Sequence, residues 1–184
     1  MYKELTESEL AGRCRDGDSR AADELYRRYA ARLLTICRRY SGSSEDAEDL
    51  MQEAVLKALD KMPSFSYRGE GSLYAWMSRI AINMALDNVH RAQKQPLPTE
   101  PVPDSIPEPS EEEMAGIPQE RLLEMIAGLP EGRRTVFNLY CLDGYSHKEI
   151  GKMLGINPKA SASELAKARI QLQKAINDEL GKHN

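Results

Sequence analysis

Between Pro96 and Pro118 the chain reads PLPTEPVPDSIPEPSEEEMAGIP, a stretch holding seven of its ten prolines and almost no large apolar side chain. Proline lacks the amide hydrogen that a helix or sheet needs, and closely spaced carboxylates repel one another. The segment is therefore predicted to be an extended, solvated tether over 96–118, and any core must form on either side of it. Two small domains follow, 1–95 and 119–184. The same segment decides what the net charge of -4 means. Residues 1–95 carry 15 basic and 15 acidic side chains, residues 96–120 none and 7, and residues 121–184 carry 10 and 7, giving local balances of 0, -7 and +3. The acidic excess belongs to the tether and does not exclude a polyanionic partner for the last third.

Before the tether, apolar residues recur at helical spacing. Thr6 and Glu9 form a capping box for a short helix that stops at Gly17. A second helix, about 19–40, aligns Ala22, Leu25, Tyr26, Tyr29, Leu33, Ile36 and Cys37; a third, about 44–62, aligns Ala47, Leu50, Met51, Ala54, Val55, Ala58 and Leu59 until Pro63 ends it. After a polar, glycine-bearing loop, a fourth from Ser72 to about Gln95 carries Leu73, Trp76, Met77, Ile80, Ala81 and Met84. No stretch alternates as a strand, so the fold class is all-α.

Beyond the tether, helices are expected at 119–127 and 131–142, the second stopped by Gly144. Ser146 and Glu149 make another capping box, and the helix they open runs to Leu154. Gly155, Ile156 and Asn157 then turn the chain, with Asn157 capping a last helix that tolerates Pro158 in its first turn and packs through Leu165, Ala168, Leu172 and Ile176. This is the arrangement of a helix-turn-helix.

Several function classes find no support. Cys14, Cys37 and Cys141 are far apart among apolar helical positions and read as buried free thiols; His90, His147 and His183 are scattered without metal-ligand spacing. No metal or cofactor is expected. Neither a phosphate-cradling glycine loop nor a nucleophile elbow occurs, so nothing demands an enzyme, and no catalytic residue is assigned. No apolar run approaches the roughly 18 residues that span a bilayer, and MYKELTESEL lacks the apolar stretch of a secretory peptide; membrane insertion is not expected, and a cytoplasmic protein is.

The stretch SFSYRGEGSLYAWMSRIAINMALDNVHR, residues 64–91, joins aromatic rings to arginines and amides. Rings stack on unpaired bases, amides and guanidiniums bond base edges, and positive charge follows phosphate, each stacked base being worth roughly 1 to 3 kcal/mol. Trp76 shares a helical face with Ile80 and Met84 and suits a core position as well as a base platform.

Three ordered blocks, DAEDLMQEAVLKAL, YRGEGSLYAWMSRIAINMALD and LPEGRRTVFNLYCLDGYSHKEIGKMLGI, resemble the bacterial RNA polymerase sigma factors of the sigma-70 family, in particular the extracytoplasmic-function (ECF) group. The resemblance implies a region 2 bundle (1–95), a flexible tether and a region 4 helix-turn-helix (119–184), which together bring core RNA polymerase to promoter DNA. It makes Asp46, Asp49, Gln52 and Glu53 polymerase contacts, at a helix similar to one that docks on the clamp coiled coil of the largest subunit. It makes the loop 66–72 and the following helix the reader of the minus-ten element, trapping a flipped base of the melted non-template strand, with Tyr67, Arg68, Trp76, Arg79, Asn83, Asp87, Asn88 and Arg91 facing that strand or the duplex above it.

By the same resemblance the final helix-turn-helix reads the minus-thirty-five duplex through Ser146, Lys148, Lys159, Ser161, Ser163, Glu164, Lys167 and Arg169. Here the chain departs from its family: Ala160, Ala162 and Glu164 stand where threonine, lysine and arginine are common. Loss of cations weakens duplex binding, and Glu164 is left as an acceptor for the cytosine amino group. An anti-sigma factor is a further expected partner. A stand-alone helix-turn-helix regulator is the main alternative, and it leaves the Trp76 segment and the acidic face without a role.

Overall fold

The computed structural model describes residues 4–41, 43–92 and 116–181, and the side chains of 89–92 are not among the described atoms. Most of the tether predicted over 96–118, His183 and the side chain of Arg91 thus lie outside the described residues. Those that are described form helices and turns with no strand, in two units, Met1–Asn88 and Val89–Asn184.

The first unit starts at α1 (Glu7–Arg15). Its capping box forms as the sequence predicts, with the Thr6 N–H donating to Glu9 Oε2 at 2.8 Å and the Glu9 N–H to Thr6 Oγ1 at 3.3 Å. These bonds hold the Glu9 carboxyl below the usual carboxylate range, the Thr6 backbone amide having the largest effect. Helix α2 (Ser19–Tyr40) is capped by Asp18 and packs on α1 and on α3 (Ser44–Asp60). Leu10, Leu25, Leu33, Cys37, Ala47, Ala54 and Ala58 on these helices are buried. Within α2 the buried Glu24 accepts from Arg27 Nη1 (2.6 Å) and Arg28 Nε (2.7 Å), and Arg28 Nη1 reaches on to the Leu5 carbonyl (2.7 Å), tying the N-terminal lead-in to the bundle.

Helix α3 stops two residues earlier than predicted. Proline disfavours helical backbone at the residue before it, and the chain passes at Lys61 into a 3-10 turn, Met62–Ser64. Helix α4 (Ser72–Ala92) buries Leu73, Met77, Ala81, Ile82, Ala85 and Leu86. Trp76, Ile80 and Met84, predicted in its core stripe, are only half-buried along the flank, and Tyr26 of α2 is 45% exposed.

In the second unit α5 (Gln119–Ala127), α6 (Glu131–Phe137) and α7 (His147–Leu154) each pack on α8 (Pro158–Leu180). Leu129, Ala168 and Leu172 make a buried cluster joined by Met125, Ile126 and Phe137, while Val136, Leu139 and Ile150 are fully buried. The helix expected over 131–142 does not stay α-helical. It widens at Asn138–Leu142 into a π turn closed by Asp143 N–H to Asn138 O at 3.0 Å, and Tyr145 N–H bonds to Leu139 O at 2.9 Å. The wider turn keeps Asn138 and Leu139 inside and carries Tyr140, Cys141 and Leu142 outward, so Cys141 is exposed, contrary to the expectation of three buried thiols.

The α7-turn-α8 geometry follows its local signals. Ser146 and Glu149 form the reciprocal capping box, Asn157 Oδ1 accepts from the Lys159 N–H at 2.8 Å, and Pro158 occupies the first turn of α8. The turn folds back so closely on α7 that a Cβ at Gly151 would lie 2.7 Å from the Ile156 carbonyl oxygen.

Candidate nucleic-acid interface

The loop between the 3-10 turn and α4 is held at both ends. At its entry Arg15 Nη2, from the last turn of α1, donates to the Phe65 carbonyl at 2.9 Å; at its exit the Arg68 N–H donates to Ser72 Oγ at 3.2 Å. Gly69 and Gly71, with φ of 118° and 85°, make the reversal into α4, a region of backbone space that side chains with a Cβ rarely enter. The Phe65 ring is buried and lies tilted against Trp76, centroids 5.1 Å apart.

These constraints leave a cleft of about 370 Å³ walled by Phe65, Ser66, Arg68, Ser72, Trp76 and Arg79. Its size falls at the small end of ligand clefts, roughly 300 to 1,000 Å³. An indole, hydroxyls and two guanidiniums are the groups that stack a planar base, bond its edge and neutralise phosphate. Trp76 is thus neither wholly core nor a free platform: half-buried, it forms part of the wall.

Other residues singled out from the sequence continue from this cleft. Ser72, Trp76, Arg79, Asn83 and Asp87 succeed one another at three- and four-residue steps, which places them on one stripe of α4. Arg79, Asn83, Asp87 and, to one side, Asn88 are exposed, and Tyr67 is 45% exposed in the loop. Tyr74 is engaged elsewhere. Its ring stacks on Tyr29 of α2 at 6.1 Å and lies 3.6 Å beneath the Arg32 guanidinium, while the Tyr29 hydroxyl donates to Glu7 at 3.1 Å. Burial, then the Glu7 charge, pushes the Tyr29 hydroxyl up to about 12. The sequence held no sign of this α2-α4 contact, nor that Arg15, fifty residues away, supports the loop.

On α3 the carboxylates of Asp46, Asp49 and Glu53 and the amide of Gln52 are exposed, opposite buried Ala47, Leu50 and Ala54. Asp46 is partly engaged in the helix cap, accepting from Ser43 Oγ at 2.7 Å. One turn beyond Gln52 and Glu53, Leu56 is 66% exposed, an apolar side chain in an otherwise polar stripe that the periodicity did not mark.

The second unit rearranges the residues proposed for duplex reading. Lys148, Lys159 and Arg169 are exposed, Ser146 is exposed and occupied as the α7 cap, and Ser163 is half-buried. Ser161, Glu164 and Lys167 point inward. Ser161 is fully buried with its hydroxyl 2.9 Å from His147 Nδ1, and that imidazole stacks on Tyr140 at 4.4 Å. Glu164 and Lys167 are 5% and 4% exposed. The carboxylate accepts from Lys167 Nζ at 2.9 Å and faces Arg133 Nε of α6 at 3.4 Å, and Arg133 Nη1 donates to Gln171 at 3.2 Å. The expectation that these three side chains are available to a DNA groove is therefore corrected. They share the face of α8 that carries Leu165, Ala168 and Leu172 into the core, and Glu164 is spent on a clasp between α6 and α8. The outward arc of the helix start carries Lys159, Ala162, Ser163 and Arg169.

No helix among the described residues is long and apolar enough to cross a membrane, and none of their His, Cys, Asp and Glu side chains cluster as a metal site would require.

Comparison with known proteins matches residues 25–95 to the family model of sigma-70 region 2 and residues 119–172 to that of sigma-70 region 4. Over 94% of its length the chain is 32% identical to the ECF RNA polymerase sigma factor SigM of Mycobacterium tuberculosis, covering 86% of that protein. It is 30% identical over 96% of its length to the ECF RNA polymerase sigma-E factor of Haemophilus influenzae, covering 98% of it. Among solved structures, CnrH in complex with the cytosolic domain of CnrY shares the fold, with a TM-score of 0.51 and 22% identity over 92% of this chain and 96% of that one.

Proposed function

The chain belongs to the sigma-70 family of RNA polymerase sigma factors, in its ECF group, and is a non-enzymatic factor that directs transcription initiation; from that premise we propose which of its surfaces do so. Residues 1–95 act as region 2, 96–118 as the tether and 119–184 as region 4. Asp46, Asp49, Gln52 and Glu53 meet a basic surface of core polymerase, a reading supported by their common exposure on one side of α3. Leu56 adds a small apolar contact at the end of that stripe.

The cleft between the loop and α4 takes an extruded base of the non-template strand. Trp76 supplies a wall, Arg68 and Arg79 bond its edge or the adjoining phosphate, and Asn83, Asp87 and Asn88 continue along the strand toward the duplex, with Arg91 beyond. The observation that carries this reading is the joining of an aromatic wall and two guanidiniums in one open cleft of nucleobase-compatible chemistry. Opening then needs no hydrolysis. Binding the exposed strand, coupled to polymerase contacts, shifts the closed-to-open equilibrium. Lys148, Lys159, Ser163 and Arg169 approach duplex DNA at the minus-thirty-five element, chiefly through phosphate.

The factor acts with polymerase in the cytoplasm, and an anti-sigma protein is its expected restraint; CnrH, solved with the cytosolic domain of CnrY, is a case of this fold held by another protein. A stand-alone regulator gives residues 25–95 no function.

Reconstitution with core polymerase tests the assignment. Charge reversal at Asp49 and Glu53 is expected to abolish promoter-specific transcripts by loss of polymerase binding. Arg79→Ala or Asn83→Ala is expected to leave that binding intact and reduce open complexes about 10-fold, the scale of one stacked or charge-assisted contact. Equal loss of both properties in the α4 variants overturns the assignment.

A further inference from the structure

The base-binding cleft has a wall it does not itself build. Phe65 opens the loop, its ring is 4% exposed, and it supports the Trp76 indole at 5.1 Å. Phe65 is held from outside α4 as well. Arg15, itself exposed, donates through Nη2 to the carbonyl of buried Phe65 at 2.9 Å, and Arg15 ends a helix that lies before the part of the chain matching sigma-70 region 2.

The helix is itself anchored. Leu10 is fully buried, Ala11 and Cys14 are buried, and the capping box fixes its start. It packs on the 3-10 turn that delivers the chain to Phe65, whose Met62 is fully buried. The helix that carries this exposed guanidinium is thus anchored, and the guanidinium donates to the Phe65 carbonyl. Its loss leaves that carbonyl without its charged partner and the loop entry held by the Phe65 N–H bond to the Met62 carbonyl at 3.1 Å, while the exit stays pinned by Ser72.

We propose that Arg15 is a positioning residue for base capture: by holding the Phe65 carbonyl it sets the Phe65–Trp76 wall of the cleft, so α1 belongs to the strand-reading apparatus rather than only to the bundle. The inference rests on the assignment of the cleft to an extruded base. Arg15 touches no base. It acts through Phe65, and its effect falls on how well the cleft discriminates among bases more than on whether polymerase is bound.

The experiment uses the full chain with core polymerase and a forked promoter template whose single-stranded minus-ten bases are varied one at a time. Four proteins are compared: parent, Arg15→Ala, Arg15→Lys and Arg79→Ala. Arg15→Ala is expected to bind polymerase within about 2-fold of parent, to bind the forked template roughly 10-fold more weakly, as befits one charge-assisted hydrogen bond, and to lose most of its preference among bases at one position. Arg15→Lys, which retains a donor, is expected to recover part of that preference.

If Arg79→Ala weakens the template while Arg15→Ala binds and discriminates like parent, the positioning role is overturned and the cleft assignment stands. If neither variant alters binding of the forked template, the cleft assignment fails and takes the positioning role with it. Should Arg15→Ala lose polymerase and template equally, Arg15 serves only the bundle and the inference is wrong. A melting temperature for each variant separates that outcome from altered recognition, because Arg15→Lys would then melt like parent without restoring base preference.

Discussion

The two units carry arginine and lysine on, or packed against, elements proposed to face DNA, yet they dispose of the charge in opposite ways. In the first, Arg68 and Arg79 stand at an open cleft and remain exposed; in the second, Lys167 and most of Arg133 are drawn inward by Glu164. Helical spacing alone gives each cation an equal claim on DNA. Burial divides them, because a desolvated cation already satisfied by a carboxylate gains little by leaving it, whereas an exposed guanidinium is ready to meet phosphate or a base edge. On the proposed roles, strand capture falls to a ready-made surface, and duplex reading to a helix whose charge partly serves its own fold.

The largest expected effect breaks this comparison at Glu164. Removing one member of a buried ion cluster strands the others, at a typical cost of about 3 to 5 kcal/mol. Glu164→Ala should therefore lower the melting transition of the second unit strongly. Arg79→Ala, an exposed change in the first unit, should stay within about 0.5 kcal/mol of parent. Calorimetry of the full chain checks both. A Glu164→Ala protein that melts like parent would mean that the clasp contributes nothing and that Lys167 is, after all, free to turn outward.

Alkali should separate the units next. Burial raises both thiols of the first unit to about 11, with the Asp18 charge adding to the effect at Cys14. An ordinary thiol loses its proton near 9, so between about pH 9 and 11 the unfolded chain releases protons that the folded one keeps. The sign follows from linkage: the stability conferred by these neutral thiols is complete below pH 9 and is lost as pH rises through the folded value. Melts at increasing pH should show the first unit weakening over that window, and Cys14→Ala with Cys37→Ala should flatten the dependence. Exposed Cys141 should react with an alkylating agent well before either buried thiol.

Much of this architecture was legible in the sequence because it is locally coded. Thr6 with Glu9, Ser146 with Glu149, and Asn157 before Pro158 are signals spanning four residues or fewer, and each helix start falls where they put it. What escaped was set by distant contacts. Leu73, Met77 and Ala81 form one ladder along α4 and Trp76, Ile80 and Met84 the adjacent one, and packing alone decides that the first is buried. Arg133 lies 31 positions before Glu164, and Arg15 fifty before Phe65, so neither pair has a spacing to betray it. One usable sign was present. Ser161, Glu164 and Ala168 share a face with the apolar Leu165 and Leu172, and a carboxylate on that face requires a buried cation. At the cleft the aromatic and arginine residue types were visible in the sequence and the structure brings Phe65, Arg68, Trp76 and Arg79 together, while their support from α1 depended on tertiary structure.

The smallest expected effect sharpens the comparison within a single helix turn. Lys167 and Arg169 are two residues apart on α8, and positional reasoning treats them alike, but one is 4% exposed and the other open to solvent. Each phosphate neutralised on duplex DNA contributes about 0.9 to the slope of log affinity against log salt. For holoenzyme bound to a promoter with an intact minus-thirty-five element, Arg169→Ala should reduce that slope by about one and weaken binding a few-fold, nearly alike for different element sequences, because phosphate contacts carry no base information. Lys167→Met, which keeps the length of the stem without the charge, should leave the slope unchanged at temperatures where the unit remains folded. Titration of both variants across a range of salt concentrations measures the difference. Equal slope losses would mean that the Glu164 clasp opens on DNA and returns Lys167 to the groove; no loss in either would remove α8 from the duplex altogether.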